Sequence, residues 1–186
     1  MRSFNRKVFC AIGFLAIVLN FFFYTSSYAK TAKAIDGEVD AALKLFYEQV
    51  RGGKEFLQSA KGVLIIPNII KAGLGIGGLY GEGALRITGK TVEYYGLAAG
   101  SIGFQIGAQK TNLVLIFMED EALKSFRASS GWKAGVDASV AFIDVGKGKS
   151  VDTVSIRDPI VGFIFGQKGL MASATIEGAK FTKLVR

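Results

Sequence analysis

Acid–base chemistry in this sequence falls to carboxylates. The 186 residues contain no histidine and one cysteine, Cys10. Without histidine the commonest general base and the commonest neutral metal ligand are gone. One thiol cannot build a cysteine zinc site or an internal disulfide. The acidic candidates are Glu82, Glu93, Asp137 and Glu177, and paired carboxylates do suffice for glycoside hydrolysis. Nothing in their spacing brings two of them to a working distance, and each reads better as a surface or turn residue. Asp137 and Glu177 differ from ordinary surface acids. Each lies in a β-like run beside small residues, Gly135-Val136-Asp137-Ala138-Ser139 and Thr175-Ile176-Glu177-Gly178. That setting predicts that one or both carboxylates are partly buried and accept backbone hydrogen bonds that fix a loop. The chain thus reads as non-enzymatic, with no catalytic residue, metal or cofactor.

A phosphate loop is spelled but not supported. Gly73-Leu74-Gly75-Ile76-Gly77-Gly78 matches G-x-G-x-x-G, and Glu93 stands where a ribose-binding acid would. That fingerprint must open a helix after a strand. The next residues here are Leu79-Tyr80-Gly81-Glu82-Gly83, a poor helix. Glycine instead recurs at alternate positions in apolar runs, again in Gly100-Ser101-Ile102-Gly103-Phe104-Gln105-Ile106-Gly107 and in Gly162-Phe163-Ile164-Phe165-Gly166. Period two is a strand signal, and glycine within a strand marks a bend or a close approach of another surface. Basic residues punctuate the turns: Lys71, Arg86, Lys90, Lys110, Lys133, Lys147, Lys149 and Lys168. Gathered at one end of a sheet, Lys71, Arg86, Lys90, Lys110, Lys133 and Lys168 would form a cationic rim suited to lipid phosphates.

The elements that must position these groups are mostly strands. Ile35–Arg51 reads as an amphipathic helix with Ile35, Val39, Ala42, Leu43, Phe46 and Val50 on one face. Asp36, Glu38 and Asp40 complement its dipole, Gly52-Gly53 stops it, and packing against a sheet is favoured over insertion into a membrane. A short helix is expected from Lys54 to Ala60. Strands are expected at Val63–Ile66, ended by Pro67; at Ala72–Ile87, bent at Gly81 and Gly83; and at Thr91–Leu97, joined to its predecessor through Gly89-Lys90. Others are expected at Ser101–Gln109, Leu113–Met118, Val136–Val145, Val151–Arg157, Ile160–Phe165 and Leu170–Glu177, with a helix at Asp120–Ser129. Strands joined by short turns predict an α+β fold in one domain. Its antiparallel, glycine-rich sheets, or a partly closed barrel, carry an N-terminal amphipathic helix and one or two short helices.

The N-terminus is read apart from the fold. Arg2, Arg6 and Lys7 precede a nearly unbroken apolar run, Val8 to Tyr24, and Ser27-Tyr28-Ala29 ends in small residues. This is the pattern of a secretory signal peptide over 1–29, cleaved after Ala29, with an uncleaved anchor as the competitor. The protein is then exported, to the periplasm or beyond. Removing that segment's three basic residues lowers the net charge from +8 to +5. A basic surface favours anionic partners, and export disfavours nucleic acid.

Several of these motifs stand in an order that resembles the SYLF domain family. They are Lys61-Gly62-Val63-Leu64-Ile65-Ile66-Pro67, the run Lys71–Gly78 with Gly75 and Gly78, Gly81-Glu82-Gly83, Gly100-Ser101-Ile102-Gly103-Phe104-Gln105-Ile106-Gly107, Gly135-Val136-Asp137, and Gly169-Leu170 through Glu177-Gly178. The resemblance runs from about Ile35 to Val185. It implies a lipid-binding domain, 30–186, similar to members that bind phosphoinositides or actin. In place of the tryptophan- and proline-containing segment of the eukaryotic members, this chain has Thr91-Val92-Glu93-Tyr94-Tyr95-Gly96-Leu97. The implied partner is therefore lipid or membrane surface as a class. A structural or protein-interaction module of the cell envelope is the alternative.

Overall fold

A single long strand organises the chain. The computed structural model describes residues 29–103, 109–147, 158–166, 176 and 178–186. In it β1 runs without interruption from Gly62 to Ile87. Its first half pairs antiparallel with β3 (Gln109–Phe117), Gly62 against Phe117 and Lys71 against Gln109. Its second half pairs, along its other edge, with β2 (Lys90–Gly103), Gly75 against Gly103 and Ile87 against Lys90. The strand expected to stop at Pro67 does not stop. Register shifts between Ile66 and Ile69, and Asn68 takes a positive φ of 50°. Proline's missing N–H is thus accommodated at a bulge, where a ladder can tolerate it.

The remaining strands extend the sheet to both sides in the order β4-β7-β2-β1-β3-β6-β5. These are β4 (Trp132–Lys133), β5 (Ala141–Asp144), β6 (Ile160–Phe165) and β7 (Lys180–Leu184). All pairs are antiparallel except β5 with β6, which is parallel. The sheet is accordingly mixed, and the fold is α+β in one domain around a curled, half-barrel sheet. Two strands escaped the sequence reading, β4 and β7. One expected strand is mostly absent: of Val136–Val145 only Ala141–Asp144 is extended, because residues 135–137 form a turn. Val151–Arg157 and Leu170–Glu177, except Ile176, lie outside the described residues, as do 1–28.

Gly81 and Gly83 explain the curl. A Cβ on Gly81 would sit 2.7 Å from Ile66 Cγ2, and one on Gly83 would strike the Ile65 carbonyl. The strand folds back so closely that its second half touches its own first half. Only a residue without a side chain permits that. At the far end Thr88 and Gly89 both have positive φ, 49° and 77°, the geometry of a type I′ hairpin turn. Threonine is β-branched and costly in that region.

Curling leaves two apolar faces. The inner one collects Leu64, Leu85, Leu97, Leu115 and Phe117. It is closed by α3 (Asp120–Ala128), whose Phe126 ring lies 4.7 Å from Tyr95, 4.9 Å from Phe117 and 5.3 Å from Trp132. The outer face presents Ile65, Ala84, Val114, Ile116 and Phe163. It is covered by α1 (Ala32–Gln49) and α2 (Gly53–Gln58). Alternate residues of β3 thus serve opposite cores, so Leu113–Phe117 reads as one apolar run.

Helix α1 starts three residues earlier than its apolar pattern, capped by the Thr31 hydroxyl, which accepts from the Ala34 N–H at 3.3 Å. Its acids are not a first-turn dipole complement. They dock on the sheet: Asp36 accepts from Thr91 (2.8 Å) and Tyr94 (2.9 Å), and Asp40 pairs with Arg86 (2.8 Å).

Two glycine positions and the hairpin turn test this account. Gly83→Ala should cost about 3 kcal/mol or more, since backbone must move, whereas Gly100→Ala, with nothing within 4 Å of its added Cβ, should stay within about 0.5 kcal/mol. Thr88→Asn should stabilise by about 0.5–1 kcal/mol, because asparagine tolerates positive φ. Urea unfolding followed by circular dichroism reads all three.

Candidate functional site

The acidic candidates separate once the strands are placed. Directly opposed residues in an antiparallel pair share a face. Glu82 lies opposite Gly96, on the face whose next member, Ala84, packs under α1. Glu93 lies opposite Leu85, on the inner face. Asp137 is exposed in the 135–137 turn. Glu177 lies outside the described residues. The strand alternation puts Glu82 and Glu93 on opposite sides of the sheet, so they cannot flank one substrate.

Each described acid has its own work. The Glu93 carboxylate receives the Arg127 guanidinium through two nitrogens at 3.0 and 3.1 Å, Lys183 Nζ at 2.9 Å and the Tyr95 hydroxyl at 2.8 Å. Burial pushes its carboxyl up, but these donors outweigh burial and hold it down at about 2. Burial and the bond to Glu93 together push the Tyr95 hydroxyl up. The cluster ties α3 and β7 to β2. Glu82 is buried, its Oε1 receiving Tyr80 OH at 2.5 Å and Arg186 Nη2 at 2.9 Å, while its Oε2 has no hydrogen-bond partner among the described residues. That bond to Glu82 pushes the Tyr80 hydroxyl up. Asp137 does fix a loop, accepting the Lys133 N–H at 2.6 Å, but it does so exposed rather than partly buried, because three turn residues carry it away from the sheet.

The glycines divide into closed and open positions. Gly81 and Gly83 are filled by the curl. Gly78 and Gly100 face each other across β1 and β2, and both are exposed, with half-exposed Tyr80 beside them. The run spelled like a phosphate loop is continuous strand, with Gly75 paired to Gly103 and Gly78 to Gly100. Gln105 and Gly107 lie outside the described residues.

The basic residues do not form one rim. Arg86 and Lys90 belong to the β1–β2 hairpin. Lys71 and Lys110 sit on adjacent strands near the other end of the β1–β3 pairing, where Lys110 lies opposite Ile70. Lys133 is on the edge strand β4. Lys168 lies outside the described residues.

One concavity escaped the sequence reading. A cleft of about 410 Å³ opens between the C-terminal half of α1, α2, the start of β1 and the β1–β2 turn. That volume is in the range of small-molecule sites. Leu43, Tyr47, Leu57 and Val63 supply apolar wall, and Lys54 and Arg86 supply charge. Arg86 is engaged by Asp40 and reaches Thr91 Oγ1 at 3.4 Å. Lys54 is exposed and makes no ion pair among the described residues. Of the sequence candidates only Arg86 lines the cleft. A signal existed: Leu43 and Tyr47 are four residues apart on α1, to one side of Val39 and Phe46, so they form a second, flanking stripe. Among the described residues no cluster of acids could hold a metal ion, and no helix is long and apolar enough to cross a membrane.

Comparison with known proteins adds one finding. Residues 98–184 match the family model Ysc84, described as Las17-binding protein actin regulator. The matched stretch holds Gly100, Ser101, Gly103, Gly135 and Asp137, while the motifs between Lys61 and Gly83 precede it. No curated protein matches the chain.

The Glu93 cluster predicts a pH dependence. A carboxyl ordinarily near 4.5 and held at about 2 contributes stability that is complete above 4.5 and lost as pH falls through 2. Glu93→Gln should therefore be destabilised by about 1–2 kcal/mol at neutral pH. Its deficit should shrink as unfolding is measured from pH 4.5 downward.

Proposed function

From a chain that carries a Ysc84 (SYLF) domain over residues 98–184, we propose an exported, non-enzymatic protein that binds lipid or anionic membrane surfaces. The observation that carries this reading is the cleft beside α2. Its walls are largely apolar, and Lys54, which is exposed and makes no ion pair among the described residues, is part of its lining. Lys90 follows the Gly89 that lines the same cleft, so a second exposed cation borders it. An anionic head group would meet these cations while apolar chain enters between Leu43, Leu57 and Val63. Residues 1–29 would deliver the protein across a membrane and be removed after Ala29, so that intact-mass measurement of the exported form should begin at Lys30.

The family description names a protein partner, which supports a second reading as a protein-interaction module. The open Gly78–Gly100 face with exposed Tyr80 is the flat surface such a partner would use. The two readings separate by lipid preference and cross-linking.

Co-sedimentation of residues 30–186 with vesicles tests the lipid reading. Anionic vesicles should pellet the protein at low salt, with less pelleted at high salt and less with neutral vesicles. Lys54→Glu and Lys90→Glu should each weaken pelleting. Absence of binding to both vesicle types would overturn the proposal.

A further inference from the structure

The charge balance of the cleft narrows what it can hold. Two cations reach it, Arg86 from β1 and Lys54 from α2. One carboxylate, Asp40, holds Arg86 Nη1 at 2.8 Å. The partners of that pair are unequally placed: the Arg86 side chain is 16% exposed and that of Asp40 is 67% exposed. Arg86 is embedded in the wall, whereas Asp40 reaches it from the solvent side. The pair is thus exposed on its carboxylate side alone. With Asp40 in place the cleft lining retains one uncompensated positive charge among the described residues, on Lys54, while Lys90 borders the cleft without lining it. Its walls are largely apolar, and its volume of about 410 Å³ is modest.

We propose that the cleft takes a single acyl chain ending in a singly charged anionic head, a fatty carboxylate or its like. This rests on the lipid-binding reading and narrows it to one kind of amphiphile. The chain lies along Leu43, Leu57 and Val63, and the head sits between Lys54 and Arg86. Asp40 keeps its bond to Arg86 as the head arrives, so the net charge that meets the head stays at one, and its carboxylate competes with the head for Arg86. One net charge matches a carboxylate. A dianionic phosphomonoester would leave a charge uncompensated against apolar wall, which is unfavourable.

Calorimetric titration of the purified protein with octanoate, decanoate, dodecanoate and tetradecanoate, each below its micelle concentration, tests this. Affinity should rise about fourfold per added methylene, as for burial of acyl chain, and level off once the cleft is full. Lys54→Ala should weaken binding roughly tenfold. Asp40→Asn should strengthen it roughly threefold by releasing Arg86, a change of sign that mere structural damage would not give. Lys124→Ala, on the exposed face of α3, should change nothing. Both cleft substitutions are at exposed positions, and circular dichroism verifies their folding. Equal binding of dodecyltrimethylammonium, or indifference to both cleft variants, would overturn the assignment. If vesicles pellet the protein but no monomeric carboxylate binds, this inference fails and the broader lipid reading stands; if neither binds, both fail.

Discussion

The close approach of β1 to itself is the constraint on which the rest depends. Two halves of one strand come together at Gly81 and Gly83, against Ile65, Ile66 and Ile69. The strand gives one edge to β3 early and its other edge to β2 late. The curl that results makes an inner core for α3 and the Phe126 ring cluster, and an outer face for α1. A methyl group at Gly83 would meet backbone rather than a yielding side chain, so neighbouring rotamers cannot relieve the contact.

Electrostatics then place the helix that builds the site. Ile35, Val39, Ala42 and Phe46 bury the apolar stripe of α1, but apolar burial is non-directional and leaves rotation and sliding loosely defined. Asp36 and Asp40 supply direction by engaging Thr91, Tyr94 and Arg86 on the hairpin. Burial, then the Asp36 hydrogen bond, push the Tyr94 hydroxyl up, the sign of a neutral donor held against a carboxylate. These contacts align the flanking stripe of Leu43 and Tyr47 with α2 and the β1–β2 turn, and the gap between them is the cleft. Asp40 thereby both positions the helix and occupies the cation that an anionic ligand would seek.

Much of the architecture was legible because periodicity reports burial. The helix around Phe46, the helix around Phe126, the hairpin at Gly89 and the strand Ile160–Phe165 all emerge from local pattern. The failures are equally physical. Pro67 is a strand breaker by its missing donor, yet a bulge with Asn68 at positive φ carries the ladder past it. Val136 extends a β-like run in sequence, but the Asp137–Lys133 hydrogen bond closes a turn there instead. The strand Lys180–Leu184 alternates lysine and apolar residues too weakly to stand out, and pairing with β2 decides its state.

What the sequence determined by itself was chemical inventory and class. It lacks histidine, its only thiol is Cys10, its glycines recur with period two, and its order of motifs resembles the SYLF family. A strand-rich domain whose acid–base chemistry falls to carboxylates is the consequence. Tertiary structure alone decided which glycines are closed and which are open, that Glu82 and Glu93 face opposite sides of the sheet, and that Arg86 is shared between Asp40 and the cleft wall. Those outcomes depend on the meeting of residues distant in the chain, such as Asp40 with Arg86 and Gly83 with Ile65. Local spacing carries no information about such meetings until the curl of β1 brings them within contact.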